Sequence, residues 1–223
     1  MNQDYLSVAQ KSSAVFSTNK VLRNTYMLLS LTLLFSGFTA ALSMFLKMPQ
    51  MTYLISVIGG MILAMFVLPR FANSSAGIGI VFLITGLLGF GLGPILTAYA
   101  ALPNGGNIIM MSFVGTGAIF MGLSAYVLLT RKDFSFLGGF LFVGFLLVML
   151  AAIANIFLQI PALSLTISAV VIMIMSGFIL YDTSRIINGG ETNYVLATIG
   201  LYMTIFNIFI SLLQILGIMG SDD

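Results

Sequence analysis

The sequence predicts an all-α membrane protein with seven transmembrane helices, and three observations carry that prediction. Of its 223 residues, 60% are hydrophobic and only 6% are charged, with a mean hydropathy of +1.14. A soluble domain has roughly a quarter of its residues charged, so this chain cannot cover a water-facing surface. Its apolar residues fall into seven long runs, and a helix needs about 20 such residues to cross a bilayer core. Seven of the eight Lys and Arg residues fall on one side of the topology these runs define.

The first 24 residues, Met1–Asn24, are polar and contain Lys11, Lys20 and Arg23. A cleaved secretory signal would place an apolar core and a small-residue cleavage site there, and neither is present. The first run is therefore read as a retained signal-anchor helix. Residues 1–24 are expected to form a flexible cytoplasmic tail and residues 25–223 the transmembrane domain. The expected spans are Tyr26–Leu46, Tyr53–Leu68, Ile78–Leu102, Ile108–Thr130, Phe134–Leu158, Ala162–Tyr181 and Tyr194–Met219. The second is the shortest, and Met51 and Thr52 can extend it. Gln159, Ile160 and Pro161 separate the fifth from the sixth; proline cannot continue a helix donor ladder, so a tight helical hairpin is expected.

Lys11, Lys20, Arg23, Arg70, Arg131, Lys132 and Arg185 share the N-terminal side of this arrangement, and Lys47 alone lies opposite. By the positive-inside rule the N-terminus is cytoplasmic and the C-terminus periplasmic. With no Cys and no His, the chain lacks disulfides, thiolate chemistry, zinc sites and histidine bases. No cofactor and no firm metal site is expected, although oxygen-ligated cations such as calcium stay open. A net charge of +2 without a basic run argues against nucleic-acid binding. No catalytic constellation is identified, and the chain is read as a non-enzyme.

Gly86, Gly89, Gly91 and Gly93 are spaced rather like a phosphate-cradling loop, but they lie inside an apolar run. Close helix packing is the expected role. Gly93–Pro94 is expected to kink the third span. Arg131, Lys132 and Asp133 are read as a short charged loop. Asp182 is the one carboxylate that can lie within membrane depth. Arg185, three residues on, can pair with it on an extended helix, as can Arg70 or water. Glu191 is placed in the following loop or at the start of the seventh helix, where the dipole favours an acid.

The seventh run carries a polar stripe: Asn193, Ala197, Gly200, Thr204, Asn207, Ser211 and Gln214. The steps of four and three put these on one helix face, with Val195, Ile199, Met203, Phe206, Ile210 and Leu213 opposite. Amides in hydrocarbon need partners. The stripe is either a protein-facing seam or a polar conduit, and Asp182 is either structural or functional.

"ILYDTSRI" (Ile179–Ile186), "LYMTIFNIFISLLQILG" (Leu201–Gly217) and "RKDFSFLGG" (Arg131–Gly139) resemble the Bax inhibitor-1 family of seven-span proteins. "NKVLRNTYMLLSLTLLFS" (Asn19–Ser36), "GFGLGPILTAY" (Gly89–Tyr99), "ANIFLQIPAL" (Ala154–Leu163) and "NGGETNY" (Asn188–Tyr194) are similar to its bacterial branch that modulates the FtsH protease. The resemblance implies a central seventh helix surrounded by the other six, in the bacterial inner membrane. It implies binding and inhibition of that ATP-dependent protease in membrane-protein quality control, with the lipid bilayer and the protease as partners. The alternative it implies is a pH-sensitive calcium or cation leak, with calcium or protons as partners. Asp182 matches the sixth-helix aspartate of leak members, but Thr204 stands where their second aspartate would be. Leu68 falls near their gating arginine, with Arg70 two residues on. The candidate pH-sensor or conduit residues are thus Asp182, Thr204, Asn207, Arg185, Glu191, Arg70, Ser211 and Gln214.

Overall fold

A computed structural model describes residues 2–220, with side chains from Asn19 to Gly220. Seven helices are long and apolar enough to cross a membrane. They are α1 (Asn2–Phe45), α2 (Met51–Phe71), α3 (Ser75–Ala100), α4 (Gly105–Thr130), α5 (Gly138–Leu158), α6 (Pro161–Ile187) and α7 (Tyr194–Met219). No strand occurs among the described residues. Every expected span has its helix, and the differences lie at the ends. Helix α1 starts at Asn2, well ahead of the apolar run. Helix α6 continues past Tyr181 to Ile187, so Asp182 and Arg185 are helical rather than terminal.

The punctuation between helices has local causes. Helix α2 widens into a π turn over Leu63–Val67, just ahead of Pro69, whose missing N–H breaks the regular ladder. Helix α3 runs unbroken through Pro94. The α5–α6 hairpin turns on Gln159 in the left-handed region (φ 52°), followed by Pro161 in the first turn of α6. Asn155 holds that turn: its Oδ1 accepts from the Ile160 amide at 3.1 Å and its Nδ2 donates to Ser164 Oγ at 2.6 Å.

Helix α7 is the spine. It packs on α6, α4, α1 and α3, while α2 lies mainly against α3 and α5 mainly against α6. The expected ring of six is therefore an inner set of four with two outer helices. Val195, Leu201, Tyr202 and Leu213 of α7 are almost completely buried in a core shared with α1, α2, α3 and α4. Ile208 of α7 joins a second core with Leu141 of α5 and Ile174, Met175 and Ile179 of α6. Val195, Ile199, Phe206 and Leu213 on the apolar face opposite the stripe are buried too, because four helices pack on α7. Helix α5 is at the other extreme, with only 6% of its most apolar stretch buried.

The glycines of α3 do what their setting predicts. A β-carbon on Gly89 would overlap the Ser36 carbonyl oxygen and Thr39 Oγ1 of α1, and one on Gly93 would overlap Ser43. On the other flank, a β-carbon on Gly91 would lie 2.6 Å from Ser56 Cβ of α2. Helix α3 is clamped between α1 and α2 by backbone-to-backbone approach, where dispersion is the main attraction available in lipid. Gly89→Ala must push α1 away and is expected to destabilise the fold by about 1–3 kcal/mol. Gly37→Ala faces no atom within 4 Å and should be near neutral. Thermal unfolding of both variants in detergent checks this; equal midpoints would sink the packing account.

Candidate functional site

Asp182, Arg185, Glu191 and Asn193 gather where the C-terminal end of α6 meets the N-terminal end of α7, whereas Thr204, Asn207, Ser211 and Gln214 continue along α7. Asn193 sits just ahead of α7 in an extended conformation, and its Oδ1 accepts from the amides of Val195 (2.9 Å) and Leu196 (3.2 Å). This is an N-cap, which satisfies donors the helix cannot satisfy itself. The Asn193 Nδ2 donates to the Ala72 carbonyl at 3.0 Å and Asn73 Oδ1 at 2.8 Å, tying α7 to the α2–α3 turn. Glu191 is not the cap. Its Oε1 accepts from the Asn193 amide at 2.9 Å and so holds the capping residue in place.

Arg185 pairs with Glu191, not with Asp182. Its Nη2 lies 3.6 Å from Glu191 Oε2 and donates to the Gly190 carbonyl at 3.0 Å, while the guanidinium stands over the Tyr181 ring at 5.5 Å. The turn 188–190 brings these groups together: Gly189 takes φ 76°, and the amides of Gly190 and Glu191 both return to the Arg185 carbonyl. The pair is partly exposed and fixes geometry more than it adds stability. Arg70 is exposed at the end of α2 and forms no ion pair among the described residues, and Leu68 is fully buried in the core.

Asp182 is half-buried, and among the described residues its carboxylate has no hydrogen bond and no ion pair. It faces Gly200 of α7, where a β-carbon would lie 3.4 Å from Oδ2. The remaining stripe residues are occupied locally or across to α6. Thr204 Oγ1 donates to the Gly200 carbonyl at 3.1 Å, and Asn207 Nδ2 to the Met203 carbonyl at 2.8 Å. Gln214 Oε1 accepts from Ser168 Oγ of α6 at 2.8 Å, and Ser211 is buried. Along the stripe, Asn193 thus bonds to the α2–α3 turn, Thr204 and Asn207 bond back along α7, and Gln214 bonds across to α6. Two cavities of about 440 Å³ touch α7, and neither is lined by Asp182, Thr204 or Asn207. Among the described residues no three carboxylates converge to hold a metal ion.

Two elements escaped the sequence reading. Ser184, two residues past Asp182, is completely buried and accepts from the Phe134 amide at 2.8 Å and Asn188 Nδ2 at 3.2 Å. It donates toward Asp133 Oδ1 at 3.3 Å, so the 131–134 loop is fastened to α6. Bonds from Ser135 and Ser184 hold the exposed Asp133 carboxyl below its ordinary range. Tyr202 is the other. Its hydroxyl donates to the Thr85 carbonyl at 3.2 Å and takes a bond from Ser36 Oγ at 2.6 Å, joining α1, α3 and α7. A tyrosine in mid-span, far from any interface, was the available signal: a buried phenol needs a partner.

Asn193→Ala removes the cap and both bonds to the α2–α3 turn, and is expected to destabilise by about 1–2 kcal/mol. Asn193→Asp keeps the cap acceptor and loses only the amide donors, so its effect should be smaller. Hydrogen exchange at Val195 and Leu196 beside the unfolding midpoint checks this; equal losses in both variants would refute the capping role.

A family model described as inhibitor of apoptosis-promoting Bax1 matches residues 18–221. The chain is 50% identical to the Escherichia coli K12 protein named modulator of FtsH protease YccA, covering 97% of this chain and 98% of that relative. A second E. coli strain, O6:H1, has a relative named inner membrane protein YccA, with the same identity and coverage of 97% and 98%. A Vibrio cholerae membrane protein of uncharacterised function is 45% identical over 100% of both chains. Seven apolar helices and an inner-membrane relative over nearly the whole length make this a multi-pass inner-membrane protein. Its match over residues 18–221 places the chain in the Bax inhibitor-1 family.

Proposed function

We propose that this protein binds and inhibits an FtsH-type ATP-dependent membrane protease, limiting degradation of other membrane proteins, and that it is not an enzyme. The observation that carries this reading is its likeness, over nearly the full length of both chains, to the relative named modulator of FtsH protease. Two physical features support it. On the polar face of α7, Thr204 and Asn207 bond back along the helix and Gln214 bonds to α6, which favours a binding role for the outside of the bundle. Helices α2 and α5 are mostly unburied along their apolar stretches, so they offer broad lateral faces to helices of a partner. In this reading the N-terminus is cytoplasmic, as the bias of Lys and Arg supports, and residues 1–24 form a handle on the protease's cytoplasmic side.

A second reading, a pH-sensitive cation or calcium leak, rests on Asp182, a carboxylate in a membrane span with no hydrogen bond or ion pair among the described residues. Such groups are functional candidates in membranes. Thr204 counts against it, since a threonine can neither share a proton with Asp182 nor add charge for a cation.

Affinity-tagged protein should capture the protease from solubilised inner membranes, and removing residues 1–20 should weaken that capture. Absence of the protease from both preparations would reject the binding reading. For the leak, vesicles loaded with a calcium dye should show no flux above empty vesicles. Flux that responds to pH and disappears in Asp182→Asn would establish the second reading instead.

A further inference from the structure

An apolar cavity of about 440 Å³ lies between α1 and α4 with α7 as its floor. Helices α1 and α4 both pack on α7 but make no extended contact with one another. The slot between them reaches the lipid-facing surface through Gly37 and Ala41 of α1, which are exposed, and Phe113 of α4, which is 55% exposed. We propose that this slot holds one acyl chain of a bilayer lipid, drawn from the leaflet on the Lys47 side of the protein.

The length of the slot selects the occupant. Along α1 it runs from Leu33 to Met44 and along α4 from Ile109 to Phe120, each about 16 Å at 1.5 Å per residue. That is close to half of a hydrocarbon core about 30 Å thick, the height of one leaflet. It is also placed in one leaflet. Met44 adjoins the end of α1 at Phe45 and Ile109 lies in the first turns of α4, so the slot starts at the Lys47 interface and stops near mid-membrane. A headgroup can therefore stay at the interface while its chain descends between the helices.

The chemistry of the lining selects hydrocarbon. Its polar side chains are Ser36, Thr116 and Tyr202, and each is committed elsewhere. The Ser36 and Tyr202 hydroxyls bond each other at 2.6 Å, Tyr202 donates onward to the Thr85 carbonyl, and Thr116 Oγ1 donates to the Ser112 carbonyl at 2.7 Å. All three hydroxyl protons are thus committed, no charged group lines the slot, and so apolar a cavity favours hydrocarbon over water. A transmembrane helix, about 10 Å across, is too wide to descend into a slot of this volume.

The chain has no tryptophan, so one introduced indole reports one place. Phe113→Trp puts it at the lip of the slot, and Phe142→Trp puts it on the 59% exposed lipid face of α5. The full chain is reconstituted in phosphatidylethanolamine–phosphatidylglycerol vesicles brominated at mid-chain, then extracted into mild detergent and washed. Both indoles should be quenched in the vesicles. After washing, retention at the slot should exceed that at the control about tenfold, equivalent to about 1.4 kcal/mol of preference. Gly37→Leu with Gly117→Leu should cancel the difference, because a β-carbon meets nothing within 4 Å at Gly37 and only the Met121 methyl at 3.9 Å at Gly117. Lipid phosphorus per purified chain, measured without any tryptophan, should fall by about one equivalent in the same double variant. Equal loss of quenching at both indoles, or a double variant that retains as much lipid as the parent, would overturn the proposal.

Discussion

Hydrocarbon offers no hydrogen bonds, and α7 carries the amides Asn207 and Gln214 well inside its span, together with Tyr202, Thr204 and Ser211. It must therefore be enclosed by protein, and its polar side chains must find acceptors within the bundle. The structure meets this in three ways: bonding back along the same helix at Thr204 and Asn207, bonding across to α6 at Gln214, and joining three helices at Tyr202. Once α7 is surrounded by α1, α3, α4 and α6, the two remaining helices can only join as an outer layer.

Enclosure depends on close approach elsewhere. Glycines on both flanks of α3 bring α1 and α2 nearly to backbone contact, and this packing sets where α1 meets α7. Because α1 is drawn toward α3 and α4 is seated on α7 by the Phe113–Phe209 ring contact, the two diverge. The slot between them follows from the packing on either side. In water such an opening would be a liability, whereas in a bilayer its natural filling is lipid.

Helices α6 and α7 meet at a rigid corner. Asn193 caps one helix and holds the α2–α3 turn, Arg185 and Glu191 brace the connection, and Ser184 fastens the 131–134 loop. Asp182 sits within this framework with no hydrogen bond or ion pair among the described residues, facing a glycine. The pairing with Arg185 that a three-residue spacing suggests does not form. The turn through Gly189 swings Glu191 back to the guanidinium, and a tertiary contact displaces the local one.

Composition and hydropathy alone determined the class of this protein, the number of its spans and the packing role of the α3 glycines, because those follow from the bilayer's thickness and lack of water. The 4–3 periodicity located the buried polar face of α7, since helical geometry is local. What only the tertiary structure decided was partnership. The sequence shows that Asn193, Arg185, Glu191 and Gln214 need partners, but the choice among Ala72, Gly190, Ser168 and Asp182 depends on how helices distant in the chain come together. The opening between α1 and α4 is likewise absent from any pattern of residues. It exists because two helices each pack on a third while touching one another little beyond the Tyr26–Phe120 ring contact.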